Sequence, residues 1–290
     1  MMLRTQMPPG DVGAGGLSDS SSAGPSHSPR SARVSGCVIA YQEADRIADC
    51  VRSLSFCDEV VVVDSGSTDG TQEIAAEHGA RVVLHTPFPG HRQQKQYAIE
   101  QAEHDWVFCL DADERATKDL QQRVAAALRL GLAADGYEMP RHNHYLGKIL
   151  RHGLHVPDRK LRLFDRRRGR WGGRNPHDHV EMQPGAQVAR WAEGIEHLSY
   201  RDFAHHKRTI ESFTRIAAEA LHAEGRRASL LDLLVRPPAV FVKSLLLKLG
   251  FLDGWRGFVV AAMAAKTDWK KYARLRALGG SGRRTSGGQA

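Results

Sequence analysis

Three aspartates in this chain sit at spacings suited to chemistry. In "VVVDSGSTDGT", residues 61–71, three valines run into Asp64, and Ser65 and Gly66 follow it. In "LDAD", residues 110–113, Asp111 and Asp113 close a second apolar run. Alternate side chains of an extended segment share a face, so Asp111 and Asp113 are expected to point the same way. Two hard oxygen ligands at one strand end suit Mg2+ or Mn2+, which also take phosphate oxygens. Such an ion neutralises charge that builds on a departing diphosphate. Small residues after Asp64 let a ligand ring approach the backbone. Asp69 reads differently, as the cap of the helix it opens.

These acids need a frame. Strands are expected at 33–40, 58–64, 80–85 and 105–113, and helices at 45–54, 69–79, 91–104 and 118–131. Alternation with short connections, and strands that are continuous apolar runs, indicate an α/β fold whose mostly parallel sheet is covered on both faces. Ligands bind outside the carboxyl ends of such strands, where Asp64, Asp111 and Asp113 fall. From Asp135 to about Glu196 the pattern is irregular, with short strands at 135–140 and 159–166. Beyond Tyr200 three helices are expected, at 202–224, 229–249 and about 253–275, with Pro237 and Pro238 interrupting the second.

Composition narrows the classes. Residues 1–32 hold 16 Gly, Ser or Pro and are expected to be a disordered arm without a secretory core; 279–290 reads as a disordered tail. The catalytic domain is expected at 33–200 and a helical region at 201–278. Cys37, Cys50, Cys57 and Cys109 form no CxxC pair and read as reduced, cytoplasmic thiols. No nucleic-acid module accompanies the basic charge, and neither GxxxxGK[ST] nor GxGxxG follows a strand. His142, His144, His152 and His155 lack accompanying cysteines and a common helix face; a loop lining the donor phosphates is expected there instead of zinc. His197 reads as a structural histidine. Arg166, Arg167, Arg168, Arg170 and Arg174 read equally as an acceptor-binding cluster or as a solvated turn.

The stretches "VIAYQEADRIADCVRSL", "DEVVVVDSGSTDGTQEIAAEHGARV" and "DWVFCLDADE" resemble the N-terminal half of a family 2 glycosyltransferase with the GT-A fold, from about Val34 to Leu130. "RLFDRRRGRWGGRNPHDHVE" and "GFLDGWRGFVVAAMAAKTDWKKYARL" are similar to a narrower group, the bacterial lipopolysaccharide core β-1,4-glucosyltransferases. The resemblance implies inverting transfer of a hexose, glucose for this group, from a UDP-sugar to a lipopolysaccharide inner-core or related lipid-linked glycan. A peptide, protein or other lipid acceptor is the alternative, and a non-catalytic basic binding protein the third reading. It further implies that Glu43 and Asp64 hold uracil and ribose, that Ala40 and Tyr41 lie against the base, and that Gln94 and Lys95 contact the nucleotide. Asp111 would face ribose or metal, Asp113 would ligate Mg2+ or Mn2+, and His197, otherwise a structural histidine, falls where some GT-A enzymes place a third metal ligand. The group's His-Glu pair corresponds here to His177 and Asp178, with Asp178 as base and His177 orienting it. That aspartate is one methylene short of the pattern and moves the carboxylate by about 1.5 Å.

Residues 201–290 carry 17 Lys or Arg against 7 Asp or Glu, while the remainder is slightly acidic. The longest apolar run there is the nine residues 257–265, far short of the roughly 20 that span a bilayer. Basic, apolar helices of this kind suit the anionic inner-membrane surface on its cytoplasmic face, with release by high salt.

Overall fold

The computed structural model describes residues 32–154, 156–175 and 177–281. The expected arm, apart from Ala32, and the tail past Ser281 lie outside the described residues, as do His155 and Pro176. The first half alternates as the sequence predicts: β1 (Val34–Ala40), α1 (Ile47–Ser53), β2 (Glu59–Asp64), α2 (Thr71–Glu77), β3 (Arg81–Leu84), α3 (His91–Glu100) and β4 (Trp106–Asp111). After it come β5 (Glu114–Ala116) and α4 (Lys118–Leu130). Thr117 caps α4 by accepting from the Leu120 amide, the first-turn partner such a helix otherwise lacks. Strands β3, β2, β1 and β4 lie side by side in parallel.

Side-chain alternation along these strands divides the core in two. Val62 and Phe108 pack on one face with Ile47, Leu54 and Leu120 from the helices. Val61, Val63 and Cys109 pack on the other with Ala98 and Ile99 of α3. Both faces being dry, the strands need no polar alternation, which is why they read as unbroken valine runs.

The segment from 135 to 200 is more regular than its sequence suggests. It forms β6 (Gly136–Tyr145), β7 (Lys148–Ile149), β8 (Arg159–Asp165), β9 (Gly169–Arg174), β10 (His177–Met182), β11 (Val188–Arg190) and β12 (Ile195–Tyr200). β8 joins β4 antiparallel, and the sheet continues through β6 and β12 to β5. The sheet is therefore parallel in its first half and mixed beyond. "RHNHY", expected as a loop, is the end of β6, and β9 and β10 pair as a separate hairpin.

Helices α5 (Phe203–Ala223), α6 (Leu230–Val242) and α7 (Trp255–Ser281) follow, with a π-turn (Lys243–Leu247) and a 3-10 turn (Gly250–Asp253) between the last two. Pro237 and Pro238 do not interrupt α6. Each removes one helix donor, but a capping box of Ser229 and Asp232 secures the start of the helix. The irregularity expected at the prolines falls later, in the π-turn. Asp253 is buried and accepts from the Arg151 and His152 amides. Arg256 donates to the Leu146 carbonyl at 3.0 Å. These contacts tie the α6–α7 turn to the loop that follows β6.

His206 fastens α5 to the sheet. Its ring stacks on Tyr200 with centroids 3.7 Å apart, and its Nδ1 lies 3.0 Å from the Tyr145 hydroxyl. Burial, then the charges of His205 and Lys266, lowers its pKa to about 4. The unfolded imidazole takes its proton nearer 6.5, so the unfolded chain protonates first. Its contribution to stability is complete above about pH 6.5 and declines as pH falls toward 4. The midpoint of urea denaturation should therefore drop between pH 7 and pH 5. His206→Gln should cost about 1 kcal/mol at pH 7 and remove this residue's share of that slope.

Candidate active site

The carboxyl ends of β1, β2 and β4 share one edge, with Ala40 level with Asp64 and Ile39 level with Asp111. β1 lies between the two acids, so their backbones are about 10 Å apart. Asp64 is fully buried. Its Oδ1 accepts from the amides of Gly66 (2.8 Å) and Ser67 (2.7 Å) and from Gln72 Nε2 (2.9 Å), and its Oδ2 accepts from the Ser67 hydroxyl at 2.6 Å. Three donors meet Oδ1 and one meets Oδ2, so Asp64 shapes its own turn at the carboxyl edge where the sequence expects uracil or ribose.

That turn holds the loop after β1. Ser67 Oγ accepts from the Gln42 amide (2.9 Å), Thr71 Oγ1 from the Glu43 amide (2.9 Å) and Asp69 Oδ2 from the Ala44 amide (3.1 Å). The N-cap of α2 is Gly70 rather than the expected Asp69; Asp69, one residue earlier, accepts from the Thr71 amide at 3.1 Å and so serves both the helix start and the neighbouring loop. Gln42, at φ 57°, sits in the left-handed region at the centre of this arrangement. Ala40 is buried, and the Tyr41 ring beside it is 60% exposed and free to meet a flat ligand.

Asp111 and Asp113 do not share a direction. β4 ends at Asp111 and the chain turns at 112–113, because Glu114 must enter the core. Glu114 is fully buried; Arg162 Nη2 reaches its two oxygens at 2.6 and 2.7 Å, and Arg141 Nη1 lies 3.1 Å away. Asp111 shares that nitrogen, 3.3 Å from Arg162 Nη2, and lies 2.9 Å from Lys95 Nζ. Burial opposes the charge on Asp111, but Lys95 and Arg162 overcome it and hold the carboxyl well below the usual range. The "E" of "DADE" carries no sequence sign of this role beyond its place beside the two aspartates.

Lys95 is buried beside the site acids. Its ammonium sits between Asp111 and Asp178, 2.9 Å from each, and 4.8 Å from the centre of the Trp171 ring. Asp178 stands on β10 opposite Gly173 of β9, its side chain 6% exposed, and His177 beside it is exposed. The hairpin tip is bonded to the start of α3: Asn175 accepts from the Arg92 amide and donates to Gln93 Oε1, both at 2.9 Å. Gly90, at φ 115°, admits this approach, since a Cβ there would lie 2.3 Å from Asn175 Nδ2. Gln94 is also internal, between His85 Nδ1 (2.7 Å) and Ser65 Oγ (3.1 Å). It positions the turn after Asp64.

Asp113 meets His197 of β12, with Oδ2 and Nε2 3.3 Å apart. The tautomer follows from the neighbours. Asn143 Nδ2 donates to Asp158 Oδ2 at 3.3 Å, so Asn143 turns its oxygen to His197 Nδ1, 2.7 Å away. Nδ1 must then carry a hydrogen, which leaves Nε2 as a lone pair facing a carboxylate unless the ring is charged. Two such atoms are held together comfortably by a cation. Adjacent ligands of an octahedral ion with bonds of 2.0–2.1 Å lie about 3.0 Å apart, close to the separation seen. The donor set of carboxylate oxygen and oriented imidazole fits Mn2+ or Mg2+. The sequence offers His197 as a structural histidine or a third metal ligand; its ring is oriented by Asn143, by Asp158 behind it, and by Ser199 Oγ 3.1 Å from Nδ1.

Excess negative charge is visible nearby. Burial, then the charge of Asp113, pushes the Glu43 carboxyl up to about 7 against Arg201 and Arg46. Arg201 Nη2 lies 2.6 Å from Glu43 Oε2, and Arg46 Nη1 4.0 Å from Asp113. The other sequence candidates disperse. Arg167 and Arg168 pair with Asp165 and Asp135, and Arg166 donates to the Ile99 carbonyl. This turn sits level with Trp106, at the sheet end away from Asp111. Arg170 faces Glu181 at 3.7 Å. His144 and His152 face Glu196 and Asp253 separately and form no common site.

Breaking the buried pair tests this arrangement. Glu114→Gln leaves Arg162 without its main countercharge and should destabilise the fold by roughly 3–5 kcal/mol, read from urea denaturation.

Residues 35–185 match the family described as Glycosyl transferase family 2. The lipopolysaccharide core biosynthesis glycosyltransferase LpsC of Rhizobium meliloti is 27% identical over 253 residues, 83% of this chain and 93% of the relative. An uncharacterized glycosyltransferase of Rickettsia felis is 26% identical over 262 residues, 84% of this chain and 89% of the relative. Glucosyl-3-phosphoglycerate synthase of Mycobacterium tuberculosis, solved with Mn2+, uridine-diphosphate and phosphoglyceric acid, aligns over 39% of this chain and 44% of that one. Its identity is 24% and its TM-score 0.33, a likeness too slight to bear on the site.

Proposed function

The chain belongs to glycosyl transferase family 2, and from that premise we propose that it moves a hexose, glucose in our reading, from a UDP-sugar to a lipopolysaccharide inner-core or related lipid-linked glycan. The observation that carries the donor half is the approach of Asp113 Oδ2 and His197 Nε2 to 3.3 Å at the carboxyl edge of the sheet, a carboxylate oxygen and an oriented imidazole that could share a cation. The acceptor half rests on similarity to the relative named for lipopolysaccharide core biosynthesis.

Asp113 and His197 would hold Mg2+ or Mn2+, oriented by Asn143 and Asp158. When bound, the ion supplies positive charge to the departing diphosphate. Tyr41 offers its exposed ring to the uracil, and Glu43 stands at the ribose side of the same loop. In an inverting transfer the acceptor oxygen forms its bond to C1 as the bond from C1 to UDP breaks, and the acceptor proton goes to a base. We assign that base to Asp178. Lys95 Nζ, 2.9 Å from both carboxylates, holds it in place beside Asp111. Exposed His177 adjoins it on the acceptor side. The reaction is placed on the cytoplasmic face of the inner membrane; among the described residues no helix is long and apolar enough to cross one.

Calorimetry with UDP-glucose and Mn2+ tests the donor half. Asp113→Asn should abolish metal-dependent binding, and Asn143→Leu should weaken Mn2+ affinity by about 10–100-fold by releasing His197. Failure of the wild type to take up any UDP-sugar with either ion refutes the reading. Asp178→Asn should keep donor binding and lose transfer by about 100-fold or more; transfer at the wild-type rate moves the base elsewhere.

A further inference from the structure

The α6–α7 turn presents an apolar face that the protein itself does not cover. Leu231, Leu234, Val242 and Leu246 recur at helical spacing along α6 and the π-turn, and Phe251 and Trp255 continue the face around the 3-10 turn. All six are exposed, Leu234 by 70%, and neighbouring Leu247 by 74%. The inner side of α6 is used: Pro237 is buried, and Phe241 meets Phe258 of α7 edge-on at 5.5 Å. The exposed face is thus an outward surface of a packed helical pair rather than a core left open. Contiguous apolar surfaces of this kind are rare on free proteins and mark contact sites.

Charge identifies the occupant. From Leu231 to Thr267 the sequence has five basic residues, Arg236, Lys243, Lys248, Arg256 and Lys266, and two acids, Asp232 and Asp253. Asp232 pairs with Arg236 at 2.6 Å, and Asp253 is buried on the Arg151 and His152 amides. The face is therefore apolar with a margin that is cationic in net charge. A second copy would bring like charges together around the same patch, whereas an anionic bilayer offers hydrocarbon to the leucines and phosphates to the margin. A groove of about 450 Å³ between α5 and α7 adjoins this face, its wall formed by Phe203, Phe258 and Met263 and its rim by Lys207 and Lys266. It repeats the same combination of apolar floor and cationic edge.

We propose that this turn inserts into the interfacial layer of an anionic membrane as a monotopic anchor, with α6 lying in the plane of the surface. The inference deepens the membrane placement above by naming the inserting residues, and it replaces salt-releasable adsorption with hydrophobic insertion. The turn is bonded to the loop after β6 through Asp253 and Arg256, and β6 carries Asn143 behind the metal ligand His197. The anchor therefore holds the catalytic edge at a fixed relation to the lipid.

Vesicle flotation tests this without any sugar substrate, so it fails or stands apart from the transfer reading. The full chain should float with phosphatidylcholine vesicles containing phosphatidylglycerol and not with phosphatidylcholine alone. Once bound, most of it should stay bound in about 1 M NaCl, where exposed charges are screened within about 3 Å. Trp255 emission should shift to the blue on binding, and Trp255→Phe should remove that part of the shift. Leu246→Glu with Leu247→Glu, and independently Leu234→Glu, should lower vesicle affinity at least about tenfold while UDP and Mn2+ uptake is unchanged. Complete release by salt, no flotation with anionic vesicles, or a dimer in light scattering that these substitutions dissolve would each overturn the proposal.

Discussion

A buried run of alternating charges organises this protein. Asp178 pairs with Lys95, Lys95 with Asp111, Asp111 with Arg162, Arg162 with Glu114, and Glu114 with Arg141. Arg141 continues to Asp158, which turns Asn143 toward His197 and so brings the imidazole to Asp113. Isolated charges at such depth would be expelled or neutralised; here each is flanked by its opposite. The partners come from α3, β4, β5, β6, β8, β10 and β12, so few of these elements could shift without stranding a charge. The catalytic geometry and the integrity of the mixed half of the sheet are consequences of one network.

That network explains what could be read from sequence and what could not. The parallel half was legible because its signals are local: valine runs for strands buried on both faces, and small residues after Asp64 for a tight turn. The position of Asp111 and Asp113 at a strand end followed directly. Their directions did not, because alternation assumes an extended chain and the demand to bury Glu114 bends it. Gln94 and Lys95 are expected at the nucleotide only through the family resemblance. Their inward turn depends on partners at Ser65, Asp111 and Asp178, far away in sequence. His197 reads in sequence as a structural histidine or a third metal ligand, and residues of β6 give it a specific tautomer.

The irregular stretch from 135 to 200 illustrates the same limit at the level of secondary structure. β6 reads as a loop because arginine and histidine interrupt it, yet those residues meet acids across the sheet: Arg141 reaches Asp158 and Glu114, and His144 lies near Glu196. Polar strands are stabilised by their counterparts rather than by their own pattern. The glycines around Trp171 likewise read as breakers, but they allow β9 and β10 to pair closely: a Cβ on Gly172 would lie 2.0 Å from Glu181. That pairing sets the level of Asp178 against Lys95.

The bonding around Asp64 has a thermodynamic corollary. The four hydrogen bonds it accepts, with those that Ser67, Thr71 and Asp69 accept from the Gln42, Glu43 and Ala44 amides, fix both loops before any ligand arrives. Fixing a backbone residue costs roughly 1–2 kcal/mol of entropy, and here that cost is met during folding. The cradle is preorganised, so the nucleotide's intrinsic contacts translate into affinity with little deducted for reordering.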